Sequence, residues 1–374
     1  MNSDTMKETM NEVKYLDLKA QYLSIKDEID SAVIETLGSA TYVLGPRVEA
    51  FELAFANAHE SIYGIAVNTG TSALHLALLA EDIGRGDEVI TVPMTFTATT
   101  AAITYTGATP VFVDVDPVTY TMNPLQVKEK ITDRTRAILP VHLYGQSADM
   151  DPIMRIASEY GIKVIEDCAQ SHLANYKGRM VGSIGEYGCF SFYPGKNLGA
   201  YGEGGIVITN NPGKANKIRL LRDWGQSRKY HHDFLAYNYR MDSIQGAILN
   251  VKLNYLDAWT AQRRSRAHLY RDLLKDSGLS VSTESPDRKH VFHIFSVFHD
   301  DRDRLHAHMR QNGIQVGMHY PVPVHLQGAY LGLGYQLGDF PVSEFISRTQ
   351  LSMPIYPELD DSEVIRVADV LKAF

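Results

Sequence analysis

The sequence of 374 residues predicts an α/β protein: an open, mainly parallel sheet flanked by helices, followed by a smaller α+β domain. Three observations carry this. Short apolar runs alternate with helical patterns from about residue 62 to 210. Those runs are too continuously apolar for a sheet with one wet face, so both faces are expected to be covered. After Met241 the texture changes to one long helical pattern.

Residues 17–37 read as a helix preceding the sheet. The strand candidates are "YGIAVN" (63–68), "DEVITV" (87–92), "PVFVDV" (110–115), "RAILPV" (136–141), "IKVIED" (162–167), "GCFSFY" (188–193) and "GGIVIT" (204–209). Helical patterns such as "TSALHLALLAEDIG" (71–84) and "MDPIMRIASEYG" (150–161) lie between them, with right-handed crossovers expected. Residues 243–278 read as a long helical region with room for one break. A strand at 290–299, a helix near 301–312, a strand at 314–320 and a last helix from about Asp361 follow. The expected division is 1–245 for an N-terminal segment with the large domain, and 246–374 for the small one.

Composition narrows the function. A hydrophobic share of 44% can bury a large core, and a net charge of −8 argues against a broad nucleic-acid surface. The two cysteines, Cys168 and Cys189, form no C-x-x-C pair, so neither a disulfide framework nor a cysteine zinc site is expected, and no metal is called for. The polar opening "MNSDTMKETMNEVK" lacks the apolar core of a signal peptide. No run approaches the roughly 18 apolar residues of a membrane span. The expectation is a soluble cytoplasmic protein.

Ligands of open α/β sheets bind beyond the carboxyl ends of the strands. After the first strand candidate come Gly70, Thr71 and Ser72, where a helix start offers N–H groups and hydroxyls to an anion. Taken alone, an ordinary helix cap is the plainer reading. Phe96 follows the second strand, and alone it reads as core. "IKVIED" ends in Glu166 and Asp167, which alternation puts on opposite faces. A carboxylate at the end of a buried strand needs a partner, and a helix cap or a structural ion pair competes evenly with function there. His172, a little farther on, reads as a hydrogen-bonded loop residue.

"SFYPGKNLGAYGEGGIVIT" (191–209) then places Lys196 in a glycine-rich turn between two strand candidates. Neither a Walker pattern nor G-x-G-x-x-G fits, because Asn197 follows the lysine and Val207 takes the final glycine position. A lysine in a tight turn, an acid, an aromatic and an anion-binding helix start suit pyridoxal phosphate, whose aldehyde takes a lysine and whose ring nitrogen takes an acid.

The motifs "NTGTSALHLALLA", "PMTFTATTAAITYTGATPVFVDVD", "VHLYGQSADMDPI", "IEDCAQSH", "SFYPGKNLGAYGEGG" and "YNYRMDSIQGAIL", in that order, resemble the DegT/StrS-type sugar aminotransferases, which are fold-type-I pyridoxal phosphate enzymes. The likeness runs from "LDLKAQYLSIKDEID" to "LSMPIYPELDD". It implies that Lys196 binds the cofactor aldehyde, Asp167 pairs with the pyridine nitrogen, Gln170 lies by the phenolic oxygen and Phe96 stacks on the ring. It gives Gly70, Thr71 and Ser191 to the phosphate, with Asn238 reaching it from the neighbouring subunit of a homodimer. His319 and Tyr320 become substrate-side candidates, joined by His325 in the same proline-bounded loop. Arg228 and Lys229 become candidates for a nucleotide diphosphate. Tyr193 and Glu203 depart from the family's usual phenylalanine and aspartate. A family branch with histidine in place of the lysine dehydrates its substrate; this chain keeps lysine.

The resemblance therefore implies transfer of an amino group from glutamate to a nucleotide-linked ketosugar, with a dTDP-3-keto-6-deoxyhexose aminated at C3 as the favoured substrate. A 4-keto nucleotide sugar, a cyclitol ketone and a non-catalytic regulator on the same fold are the alternatives.

Overall fold

The computed structural model describes residues 12–374, so most of the polar opening lies outside the described residues. Seven strands form the central sheet: β1 (Tyr63–Val67), β2 (Glu88–Thr91), β3 (Thr109–Phe112), β4 (Thr135–Ile138), β5 (Lys163–Asp167), β6 (Tyr187–Ser191) and β7 (Gly205–Thr209). Their order is β1-β7-β6-β5-β4-β2-β3. Pairing is parallel from β3 through β6, and β7 runs against both of its neighbours. The reversal has a simple cause. β7 follows β6 through one loop, and a direct return can only be antiparallel, whereas parallel neighbours need a crossover. The chain thus has the mostly parallel, helix-flanked sheet that the apolar runs predict.

The helices begin and end where side chains satisfy their free backbone groups. Gly70–Ala80 starts with the Thr69 hydroxyl accepting the Ser72 N–H at 3.0 Å. Met150–Tyr160 ends at Gly161 with φ +67°, a left-handed residue that suits glycine. The expected first helix is two, Leu18–Ser24 and Lys26–Ser39, broken at Ile25. The long C-terminal pattern also breaks, into Ser243–Leu253 and Leu256–Leu274. Helices at Pro46–Ala58, Thr97–Thr106, Pro212–Arg222 and Pro341–Thr349 complete the flanking layers.

One expected strand is absent. Residues 314–320 make only single bridges, Ile314 to Val13 and Gly317 to Ser352. The segment meets two different partners and runs along neither. Gln350–Met353 takes its place, pairing antiparallel with Phe295–Phe298. A second apolar core gathers residues from Ala267 to Leu371 and draws in Val13. The expected division at 245/246 would cut the helix Ser243–Leu253, which packs on Pro46–Ala58. We propose the domain break between that helix and Leu256–Leu274.

The sheet and the first crossover helix touch through backbone. A Cβ on Gly205 would lie 2.4 Å from the Thr69 carbonyl oxygen. Gly205→Ala should therefore destabilise the protein by about 1–3 kcal/mol through overpacking. Urea unfolding checks this, and an unchanged midpoint would contradict the close approach.

Candidate active site

Parallel strands deliver their carboxyl ends to one edge, and the loops beyond β1, β2, β5 and β6 meet there. They enclose a cavity of about 540 Å³. Gly70, Thr71, Phe96, Asp167, Gln170, Ser191, Lys196, His319 and Tyr320 all line it, so the structure brings together nine of the residues singled out in the sequence.

Asp167 closes β5 and is buried. The Thr99 hydroxyl donates to its Oδ2 at 2.8 Å, and the Ala169 N–H to Oδ1 at 3.1 Å. Burial raises its pKa, while those two hydrogen bonds and the charges of Lys196 and His142 pull the other way. Lys196 lies in the loop that joins β6 to β7. Its N–H donates to the Tyr193 carbonyl at 2.9 Å, which tightens the turn. A Cβ on Gly199 would lie 2.3 Å from the Pro194 carbonyl oxygen, so the turn has room only for glycine there. Asn197 fastens the loop from outside. Its Nδ2 donates to the Val291 carbonyl at 3.0 Å, and its Oδ1 meets the His293 ring at 3.2 Å. The half-buried Lys196 side chain opens on the cavity, and burial pushes its pKa down to about 8 against the attraction of Asp167.

Gln170 is fixed in orientation. Its Oε1 accepts the Tyr144 N–H at 2.7 Å, and its Nε2 donates to the Tyr320 hydroxyl at 3.1 Å. The rings of Tyr320 and Phe96 lie 5.6 Å apart. His319 stacks on Tyr15 at 5.9 Å and meets the Ser352 hydroxyl at 2.8 Å. At the other side, a Cβ on Gly70 would lie 2.5 Å from the Ser191 Cβ. The missing side chain lets the helix start come up against the end of β6. Thr69 takes the Ser72 N–H, which leaves the Gly70 and Thr71 N–H groups of the first turn without an acceptor in the helix, and hydroxyls from Thr71 and Ser191 stand beside them.

These residues fit pyridoxal phosphate. A helix start with adjoining hydroxyls suits a phosphate. A buried carboxylate that no cation touches suits a pyridinium. A lysine with a lowered pKa suits an aldehyde.

Four of the residues that the resemblance assigns to cofactor or substrate do not reach the cavity. His325 is 0% exposed, bonded through Nε2 to Glu344 at 3.1 Å and packed on Phe340. It ties its own loop down, which corrects its reading as a substrate contact. Arg228 and Lys229 stand on the exposed hairpin of Gln226–Arg228 and His231–His232, in a separate surface depression. Asn238 accepts from Arg240 Nε at 2.9 Å. Glu166, the other acid of "IKVIED", faces away from Asp167. It accepts N–H groups of Gly182, Ile184 and Gly185 at 2.6–2.9 Å. The Ala148 N–H donates to His142 Nδ1, which leaves the ring proton on Nε2, facing Glu166 at 2.9 Å. His172 is buried, its ring sits among Phe55, Phe190 and Phe192, and burial pushes its pKa well down.

Tyr15, Thr99, Arg263 and His293 also line the cavity and were not singled out. Three of them come from outside the sheet region, and no local pattern marks them.

A model of the DegT/DnrJ/EryC1/StrS aminotransferase family matches residues 23–372. The chain is 43% identical to the dTDP-3-amino-3,4,6-trideoxy-alpha-D-glucose transaminase of Streptomyces venezuelae, over 96% of this chain and 95% of that one. It is 41% identical to the UDP-N-acetyl-3-dehydro-alpha-D-glucosamine 3-aminotransferase of Acidithiobacillus ferrooxidans, over 96% and 97%. A crystal structure of S. venezuelae DesV superposes with a TM-score of 0.96 at 43% identity, covering 97% of this chain and 98% of that one.

The depressed pKa of Lys196 is testable in cofactor-free protein. Trinitrophenylation followed by peptide mass spectrometry should give Lys196 a midpoint near about 8. Exposed Lys128, held above its ordinary value by Glu159, should stay protonated through that range. A Lys196 profile matching that of Lys128 would show that the amine is solvated.

Proposed function

The chain belongs to the DegT/DnrJ/EryC1/StrS aminotransferase family, and from that premise we propose that it moves an amino group from glutamate to C3 of a dTDP-linked 3-keto-6-deoxyhexose, in deoxyamino-sugar biosynthesis. It is a sugar aminotransferase, and its cofactor is pyridoxal phosphate. The observation that carries the reading is the placing of Lys196 and Asp167 on one enclosed cavity without an ion pair between them.

When bound, pyridoxal phosphate supplies a covalent handle for the amine and a ring that draws charge from the carbon losing its proton. The protein's own groups do the rest. Asp167, steadied by the Thr99 hydroxyl, keeps a negative charge where a protonated ring nitrogen needs it. Lys196 Nζ, neutral over much of the pH range near its lowered pKa, takes the proton from the donor α-carbon. In the return half, the same amine moves the proton at the sugar carbon. Gln170 and Tyr320 hold each other on the ring side, and Gly70, Thr71 and Ser191 would hold the phosphate. His319 and Tyr320, which line the same cavity, would face the sugar.

Both relatives described above carry a 3-amino or 3-aminotransferase name, which supports C3 over C4. The dTDP nucleotide follows the first of them. A homodimer with shared sites completes the reading: Asn238 of the partner subunit would reach the phosphate, and Arg228 and Lys229 the diphosphate. Exposed apolar groups near these residues support an interface there. Leu235 is 97% exposed and Tyr230 79%, with Trp224 and Phe234 beside them in sequence.

Lys196→Ala should abolish borohydride trapping of the cofactor on the protein and cut turnover by at least about 10³-fold. Asp167→Asn should slow the single-turnover glutamate half-reaction by about 10²–10³-fold. An unchanged rate would remove the acid from the mechanism. Mixing inactive Lys196→Ala and Asn238→Ala subunits under exchange should restore activity; none, despite proven exchange, would contradict shared sites. A panel of 3-keto and 4-keto nucleotide sugars, free sugars and a cyclitol ketone, with products read by NMR, tests the substrate. Turnover of the 4-keto sugar alone would overturn C3, and turnover of the cyclitol alone would overturn the sugar.

A further inference from the structure

Arg263 enters the cavity wall from the helix Leu256–Leu274 and is 3% exposed. Its Nη1 donates to the carbonyls of Ile355 at 2.7 Å and Phe292 at 3.4 Å, and its Nε has no acceptor. Its largest attraction comes from Glu358, but no salt bridge joins the two. A guanidinium this deep, unpaired, is costly to keep. Two backbone carbonyls hold it in place without cancelling its charge.

The site has few other uses for that charge. The cofactor phosphate has its own cradle at the start of Gly70–Ala80 and at Ser191. Arg263 belongs to a different wall, built from the segments of Phe292, His293 and Ile355. A nucleotide diphosphate lies several bonds from the reacting sugar carbon, and a 3% exposed group is badly placed to meet it. An amino-acid donor is different. Its carboxylate is attached to the same carbon as the amine that reacts, so it must enter the cavity with that amine. His293, on the same wall, feels the charges of both Lys196 and Arg263, which places the two cations around one space. Asp167 is on this cavity too and repels an anion, so the carboxylate needs a cation away from it.

We propose that Arg263 is the carboxylate anchor of the cavity: its guanidinium receives a carboxylate of the amino-acid donor, and the nucleotide sugar does not depend on it. A planar fork of N–H donors matches a carboxylate in shape as well as charge. One cavity thereby accepts two dissimilar substrates in turn, with the anionic one told apart by a single buried cation. The inference rests on the aminotransferase reading above, with an amino acid as donor.

The test uses the enzyme loaded with pyridoxal phosphate. Calorimetric titration with glutarate, which has carboxylates but no amine, should give a dissociation constant roughly tenfold to hundredfold higher in Arg263→Gln, with Arg263→Lys between it and the parent. The KM for glutamate should rise with it, and the donor half-reaction should lose roughly tenfold more than the sugar half-reaction. Thermal melting reports whether each variant folds. If the glutamine variant does not, Arg263→Lys carries the comparison, since it keeps the charge and loses the fork. Unchanged glutarate binding, or equal losses in both half-reactions of folded enzyme, would overturn the assignment. The titration contains no sugar, so an error in the proposed sugar leaves its outcome intact.

Discussion

Asp167, at the end of β5, and Lys196, in the loop beyond the neighbouring β6, face one cavity, yet no ion pair joins them. Burial drives their pKa values toward each other, raising the acid and lowering the amine. A direct contact would have stabilised both charges and used them up. Holding them apart keeps each available, but it means that the surrounding structure must supply the stabilisation. Much of the local architecture follows from this. Thr99 and the Ala169 N–H support the carboxylate, and the tight turn closed at Tyr193 carries the amine.

The strand beneath the acid is secured independently. Glu166 points to the opposite face, where three backbone N–H groups and His142 satisfy it. Two adjacent carboxylates thus play opposite parts. One is fully satisfied and locks β5 to the segment 182–185, while the other is left partly unsatisfied at the strand end. Glycines bring the walls close enough for this to matter, since Gly70 meets Ser191 and Gly205 meets Thr69 with no space for a side chain.

The sheet and most of the site were legible because they depend on local pattern. Apolar runs named the seven strands, and the residues just past their ends named Gly70, Phe96, Asp167 and Lys196. What could not be read depends on distance in sequence. Thr99 looks like any threonine of a β-branched helix until Asp167 is placed beside it. Arg263 and His293 reach the cavity only because the small domain folds back on the large one. The strand expected at 314–320 failed for the same reason: its alternation is real, but its neighbours, Val13 and Ser352, lie on different segments. His325 shows the converse, a polar residue in a suggestive loop whose partner, Glu344, is structural.

The fastening of Asn197 to Val291 and His293 has a consequence for motion. The lysine loop belongs to the sheet, whereas Val291 and His293 come from the chain beyond the long helices. A hinged opening of the two parts would have to break both bonds and shift the lysine each time. The chamber is therefore built to stay shut along that seam. The rim of the chamber carries exposed Phe96 and Tyr193, whose side chains can turn far faster than a domain can swing.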